Sequence, residues 1–265
     1  MSSPLSVSVA ARLRAAGCVF AEDEARLILD AARTPDELTA MVERRAGGLP
    51  LEHVLGWAEF CGLRVAVEPG VFVPRRRTEF LVEQAASRAP CVLRGGTRRP
   101  AVVDLCCGSG ALGLALAASL GACDLHAADI DAAAVRCARR NVGASGQVYE
   151  GDLYEPLPGE LKGRVDVLLA NVPYVPTDEV GLLPAEARVH EPKVALDGGA
   201  DGLHVLRRVA AEARAWLAPG GILLFETGER QVPEAVAVVS AGGLVAEVAR
   251  PDEAYATVII GTHPG

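Results

Sequence analysis

Residues Val165–Pro176 read VDVLLANVPYVP, an apolar run that ends abruptly in Asn171, Val172, Pro173 and Tyr174. Val and Leu in close succession, without polar alternation, predict a short strand buried on both faces of a parallel sheet. Pro173 has no ladder donor and favours extended backbone in the residue before it, so the strand stops there and Val172 is held stiffly at its carboxyl edge. Open α/β sheets bind ligands at that edge. Asn171 offers one carbonyl acceptor and two amide donors, and the Val172 main-chain carbonyl adds a second acceptor. Together they suit a planar NH2 group, with Tyr174 covering its face. A plain loop after a buried strand would read the same way, and the glycine turn upstream weighs between the two.

At 265 residues, half of them apolar, the chain has room for one domain of ordinary size and a small additional one. Its net charge of −8 argues against a broad nucleic-acid footprint, which needs a basic face, so no stable nucleic-acid partner is expected. Seven cysteines occur without a Cys-x-x-Cys pair, and Cys106 and Cys107 are adjacent in an apolar stretch. That pattern reads as reduced thiols in a cytoplasmic protein, with no metal site. Arg12 and Arg14 are not followed by an apolar signal region, and the longest apolar run, Ala111–Cys123, is too short to span a bilayer. A soluble protein with no membrane partner is expected.

The N-terminal residues carry helical spacing: Leu13, then Ala25, Leu27, Ile28 and Leu29, then Leu38, Met41 and Val42. Thr34-Pro35-Asp36-Glu37 supplies a cap with proline at the first helical position. This marks residues 1–48 as a small helical domain. Residues 49–75 read as a hairpin linker, where Gly56, Gly62 and Gly70 punctuate strand-like pieces such as Leu63–Val67. Pro74 to Glu79 opens a helix that runs through Ala89, and Arg75, Arg76 and Arg77 within it could face an acidic partner or phosphates, a solvated corner being the more ordinary reading.

The remaining domain, 76–265, turns regular from Pro100. Strands are expected over Ala101–Leu105, Asp124–Ala128, Gln147–Glu150, Val165–Ala170 and Gly221–Glu226, with helices over Gly108–Leu120, Asp131–Gly143, Gly202–Leu217 and Pro233–Ala241. Leu244–Arg250 and Thr257–Gly261 close the chain as two strands joined by a short turn. The alternation implies an α/β fold, a doubly wound and mostly parallel seven-stranded sheet with an antiparallel edge.

Asp104-Leu-Cys-Cys-Gly108-Ser-Gly110-Ala-Leu-Gly113 lies between a strand and a helix, where glycines let a ligand approach the backbone and the helix N-terminus. Asp129, 19 residues after Gly110, ends the next strand in position to accept from ribose hydroxyls. The glycine spacing alone fits a dinucleotide as well as a nucleoside. Asp104 and Asp152, at two further strand ends, suit the amino-acid end and the adenine amine of S-adenosylmethionine, and a second glycine fingerprint for nicotinamide is missing.

The glycine turn, Asp129, Asp152 and the Asn-Val-Pro-Tyr strand end resemble a class I, Rossmann-like S-adenosylmethionine-dependent methyltransferase with an amino-group motif. The stretches PLEHVLGWAEFCGLRV, PGVFVPRRRTE and HEPKVALDGGADGL resemble the HemK/PrmC family of protein N5-glutamine methyltransferases, which modify the Gly-Gly-Gln loop of peptide chain release factors. The resemblance runs from Gly48 to about Leu217. It implies a release factor-like protein substrate with a glutamine-bearing loop, docked by the N-terminal helical domain. It further implies S-adenosyl-L-methionine held by Asp104, Cys106, Cys107, Gly108, Ser109, Gly110, Asp129, Ile130, Asp152, Leu153 and Asn171, with S-adenosyl-L-homocysteine as product. Catalysis falls to Asn171, Val172, Pro173 and Tyr174, while His190 and Glu191 are expected to be structural.

Three departures from the family pattern stand out. Val172 replaces the first proline of Asn-Pro-Pro-Tyr, freeing Asn171 by about 0.4–1 kcal/mol of chain entropy. Cys106 stands where the family usually has glycine, and Arg76 and Arg77 replace a proline and an acid. Two other functions remain open on the sequence: adenine-N6 methylation of nucleic acid, which uses the same grip on a planar amine, and a cofactor-binding paralogue without turnover. A nicotinamide-dependent dehydrogenase ranks behind both. The identity of the substrate protein and the oligomeric state are not legible.

Overall fold

The structure, a computed structural model, describes residues 4–93, 98–251 and 256–265, the side chains of 90–93 excepted. Three helices open it: α1 (Pro4–Ala15), α2 (Ala21–Ala31) and α3 (Pro35–Ala46). The start of α3 follows from its sequence, because the Thr34 hydroxyl accepts from the Glu37 amide at 3.1 Å and the Glu37 carboxylate accepts from the Arg33 amide at 2.8 Å. A cap of this kind contributes about 1 kcal/mol. Leu13, Ile28, Met41 and Val42 give the helices a core of their own.

A five-residue helix, α4 (Leu51–Leu55), comes next, too short to display a helical period in the sequence. It leads into an antiparallel hairpin of β1 (Trp57–Phe60) and β2 (Leu63–Ala66). Asn141 ties the hairpin down. Its amide oxygen accepts from the Ala66 amide at 2.8 Å, and its nitrogen donates to the carbonyls of Ala66 at 2.9 Å and Ser109 at 2.8 Å.

After α5 (Glu79–Leu93), strands and helices alternate: β3 (Ala101–Leu105), α6 (Ala111–Leu120), β4 (Asp124–Asp129), α7 (Ala132–Val142), β5 (Gly146–Glu150) and β6 (Val165–Ala170). A short helix, α8 (Ala185–His190), then precedes α9 (His204–Trp216), β7 (Leu217–Glu226), α10 (Val232–Ala241), β8 (Val245–Ala249) and β9 (Val258–Thr262). The seven strands lie in the order β5-β4-β3-β6-β7-β9-β8. The first five are parallel, and β9 inserts antiparallel between β7 and β8. The link between β8 and β9 passes through 252–255, so the short turn expected there falls outside the described residues.

Every residue of β6 is buried, as a strand covered on both faces requires. Leu168 and Ala170 join Leu206, Val209 and Trp216 of α9 on one side of the sheet. Val167 and Leu169 join Leu81 and Ala85 of α5 and Leu116 of α6 on the other. The strand order reverses at β3, which pairs with β4 on one flank and β6 on the other. That reversal opens a crevice at the carboxyl ends of these three strands. Among the described residues, no helix is long and apolar enough to cross a membrane, and the six described cysteines are free thiols.

Candidate active site

A cavity of about 530 Å³ occupies this crevice. Its floor is the turn after β3. Gly108 and Gly110 have φ of 55° and 77°, a left-handed geometry that glycine adopts at little cost. Cys106 shares the geometry, with φ of 54°, and its side chain is on the cavity wall. A β-carbon at this angle is strained by about 1–2 kcal/mol, which explains why glycine suits the position.

The turn is held from below and from the side. Asp104 is almost wholly buried; one carboxylate oxygen accepts from the Gly113 amide at 2.8 Å and the other has no partner. Burial pushes its carboxyl up to about 7. Asp129, at the end of β4, accepts from the Gly108 amide at 2.8 Å and the Asp131 amide at 2.9 Å, and burial raises its carboxyl as well. A β-carbon at Gly113 would stand 2.9 Å from Leu125 and 3.0 Å from Asp104, so those side chains would have to shift to admit one.

Cys106, Cys107, Gly108 and Ser109 line the cavity, as do Asp129, Ile130, Asp152 and Leu153. Asp104 and Gly110, also expected to bind cofactor, lie behind the wall. Asp104 braces the turn through Gly113, and Gly110 packs where a side chain would meet Ala138 and Val142 of α7 at 3.2–3.4 Å. Asp152 is on the wall but paired, its carboxylate 2.7 Å from Arg208.

The opposite wall is the end of β6. Asn171, Val172, Pro173 and Tyr174 all face the cavity, with Asn171 half-buried. The Asn171 side chain and the Val172 carbonyl have no hydrogen-bond partner among the described residues, so the acceptors inferred from the sequence are available. The loop around them is clamped. Gln231 donates to the Tyr174 carbonyl at 2.9 Å, and β-carbons at Gly198 and Gly202 would collide with the Pro173 and Tyr174 carbonyls at 2.6 and 2.2 Å. The Tyr174 hydroxyl donates to Glu226 at 3.0 Å and accepts from Arg77, and burial pushes its pKa up to about 12.

The arginine run divides between the two readings of its sequence: two of its members meet acidic partners, while Arg76 and Arg77 remain exposed. Arg75 pairs with the buried Glu191 and lies over the Phe72 ring at 4.7 Å, Arg77 pairs with the buried Glu226 at 2.7 Å, and among the described residues only Arg76 of the three is outside an ion pair. Their acidic partners lie over a hundred positions away in the chain, which hid both pairs. Glu191 also accepts from the Val73 amide at 3.3 Å and so joins the linker to the cavity wall. Phe72, within the PGVFVPRRRTE stretch, lines the cavity too, as do Glu186 and Arg208, which no local pattern had marked.

The methyltransferase small domain family matches residues 62–199. A release factor glutamine methyltransferase of Geobacter sulfurreducens is 39% identical over 220 residues, covering 81% of this chain and 74% of its own. The chain belongs to the release factor glutamine methyltransferase family. A 4-amino-L-phenylalanine/4-methylamino-L-phenylalanine methyltransferase of Streptomyces pristinaespiralis is also similar, 38% identical over 80% of this chain and 73% of that protein. The fold is shared more widely: a T. thermophilus 16S rRNA N2 G1207 methyltransferase, solved with AdoMet and guanosine, superposes with a TM-score of 0.53 at 22% identity, over 78% of this chain and 49% of that one. Family membership makes the chain a methyltransferase.

Proposed function

We propose that the protein transfers a methyl group from S-adenosylmethionine to the side-chain amide nitrogen of a glutamine in a release factor-like protein. The observation that carries this reading is the meeting of two strand ends in one cavity: the glycine turn after β3, and the Asn171–Tyr174 loop after β6 with its two open acceptors. The residues present fit the cofactor. Glycines leave the backbone of the turn approachable, Asp129 stands at the end of β4, and a buried Asp104 oxygen beneath the turn lacks a donor. S-adenosylmethionine supplies, when bound, a methyl group activated by a sulfonium.

A carboxamide nitrogen is a poor nucleophile because its lone pair is delocalised. Asn171 and the Val172 carbonyl accept its two N–H bonds, which fixes the amide plane so that the lone pair, perpendicular to it, points at the methyl donor, and stabilises the positive charge developing on nitrogen. The new nitrogen–carbon bond forms as the carbon–sulfur bond breaks, and the amide proton leaves to solvent. Pro173 and the clamped Tyr174 keep the loop from swinging, so most of the acceleration comes from alignment. In the same reading residues 1–48 dock the substrate protein, 49–75 link them to the catalytic domain 76–265, and the reaction is cytoplasmic.

The test is radiolabelled methyl transfer into a lysate lacking this enzyme, followed by mass spectrometry. Label on a glutamine side chain of a release factor is expected. Label on nucleic acid alone, or binding of S-adenosylmethionine with no transfer to any protein, would overturn the reading.

A further inference from the structure

Residues 178–195 leave the Asn171–Tyr174 loop and return beside it. The backbone closes their base: the Val175 amide donates to the Leu196 carbonyl at 3.1 Å, the Gly198 amide to the Val175 carbonyl at 2.8 Å, and the Thr177 amide to the Gly199 carbonyl at 3.0 Å. Between those points the segment carries α8 and lines the cavity with Leu183, Pro184, Glu186, Ala187, Glu191 and Val194. It is a wall without a core. Glu191 is its one buried residue, α8 buries none, and Leu182, Val189 and Val194 are exposed. So little apolar surface leaves water here that packing contributes little to where the segment lies, and its charged ties decide it.

Two such ties reach the segment. Glu191 accepts from Arg75 at 2.5 Å and from the Val73 amide at 3.3 Å, which fixes its C-terminal end to the linker. Glu186, in α8, accepts from Arg45 of α3 at 2.6 Å. The two ends of that second pair are unlike. The Arg45 side chain is 7% exposed, with Nε and Nη2 donating to Glu24 at 2.5 and 3.0 Å and Nη1 also donating to the Leu49 carbonyl at 3.1 Å, whereas Glu186 is 48% exposed. A guanidinium immobilised by other partners has already given up its rotamer freedom, so the pair orders the wall and not the N-terminal helices. The end of α8 also abuts them, since a β-carbon on Gly48, just past α3, would stand 3.9 Å from the His190 ring.

We propose that Arg45 is a positioning residue for the acceptor: through Glu186 it holds residues 178–195 against the cavity, so that the N-terminal helices set the shape of the acceptor's entrance. The assignment rests on the reading above, in which the acceptor amide enters beside Asn171–Tyr174, and it extends the role of residues 1–48 from docking the substrate protein to shaping the site. Arg45 is not itself on the cavity wall, so its influence passes through Glu186, which is.

The experiment compares wild type with Glu186→Ala, which leaves the buried Arg45–Glu24 pair intact, with the double variant Arg45→Met plus Glu24→Leu, which removes that pair whole, and with the triple variant. Steady-state methyl transfer to a purified release factor is read alongside S-adenosylmethionine affinity by calorimetry. Glu186→Ala and the double variant are each expected to raise KM for the protein acceptor about three- to tenfold, between the scale of an exposed ion pair and that of a buried charged hydrogen bond, with kcat and cofactor Kd within about twofold. The triple variant loses no more than Glu186→Ala, because both changes cut one tie. Glu186→Gln, which keeps an acceptor for Arg45, loses less. A folded double variant with the wild-type KM overturns the assignment, since Glu186 then acts by touching the acceptor itself, and equal weakening of cofactor and acceptor overturns it too. Hydrogen exchange of the cofactor-bound protein needs no acceptor. Faster exchange confined to 178–195 in both variants supports the hold on the wall, and unchanged exchange there sinks it. A wild type that modifies no glutamine, while its variants show that faster exchange, removes the glutamine reading alone.

Discussion

The Asp129 carboxylate accepts from the Gly108 amide at 2.8 Å, so the end of β4 fixes the turn that follows β3. One carboxylate therefore both shapes the glycine turn and faces the cavity it borders. Asp129→Ala is expected to weaken S-adenosylmethionine binding at least tenfold, a loss on the order of 1.4 kcal/mol. Asp129→Asn, which keeps an acceptor for Gly108, should lose less. Calorimetric titration of both variants checks the order.

Asn171→Ala should separate binding from chemistry. The side chain has no hydrogen-bond partner among the described residues, so its loss leaves no buried group among them stranded. Cofactor affinity is expected to hold within about threefold while turnover falls on the order of 10²–10³-fold, as for removal of one preorganised transition-state contact. Equal loss of both would assign Asn171 to cofactor binding instead.

Cys106 offers a test of backbone strain. Its φ of 54° penalises any β-carbon. Cys106→Gly removes that penalty and Cys106→Ala does not, so the glycine variant should be the more stable of the two by about 1 kcal/mol. Urea unfolding of the pair, each without its thiol, isolates the conformational effect.

Asp104 sets the sign of one pH effect. Its carboxyl is raised in the folded protein to about 7 by burial, against about 4 when unfolded. The folded state therefore holds this proton more tightly, and the associated stability, full below about pH 4, is lost as pH rises through about 7. Asp129 and Glu191, also raised by burial, act in the same direction, whereas Asp201, held down to about 2 by Arg207, acts only in acid. Thermal unfolding of the protein without cofactor should show Asp104→Asn flattening the decline between pH 5 and pH 8. A slope unchanged by the substitution would remove Asp104 as its source.

Arg45 is buried between α2 and α8, 2.5 Å from Glu24 and 2.6 Å from Glu186, which lines the cavity. Among the described residues it makes the one ion pair between the N-terminal helices and the segment beside the catalytic loop. Arg45→Met strands the buried Glu24 and is expected to cost about 3–5 kcal/mol. Adding Glu24→Leu should recover most of that loss. Denaturant unfolding of the single and double variants gives the coupling.

Much of the architecture follows from local chemistry. The runs at Ala101–Leu105 and Val165–Ala170 are apolar but for one aspartate each, Asp104 and Asp166, and lack the alternation of a half-exposed strand, which suits a strand covered on both faces, and both strands occur with those limits. Thr34 and Pro35 fix the start of α3 in the same way, because a cap is made by residues three apart. The short helix α4 escaped notice because five residues are too few to display a helical period.

The site divides along the same line. The sequence by itself determined the chemical groups: a glycine turn, carboxylates at strand ends, and an asparagine before a proline-stiffened turn, each legible because its neighbours in the chain dictate its geometry. Only the tertiary structure decided what those groups face. It put Asp104 and Gly110 behind the wall, and it spent Arg75 and Arg77 on Glu191 and Glu226, 116 and 149 positions away. Pairings over such distances leave no periodic trace, since they are fixed by how β6 and β7 lie against the linker and not by any local spacing.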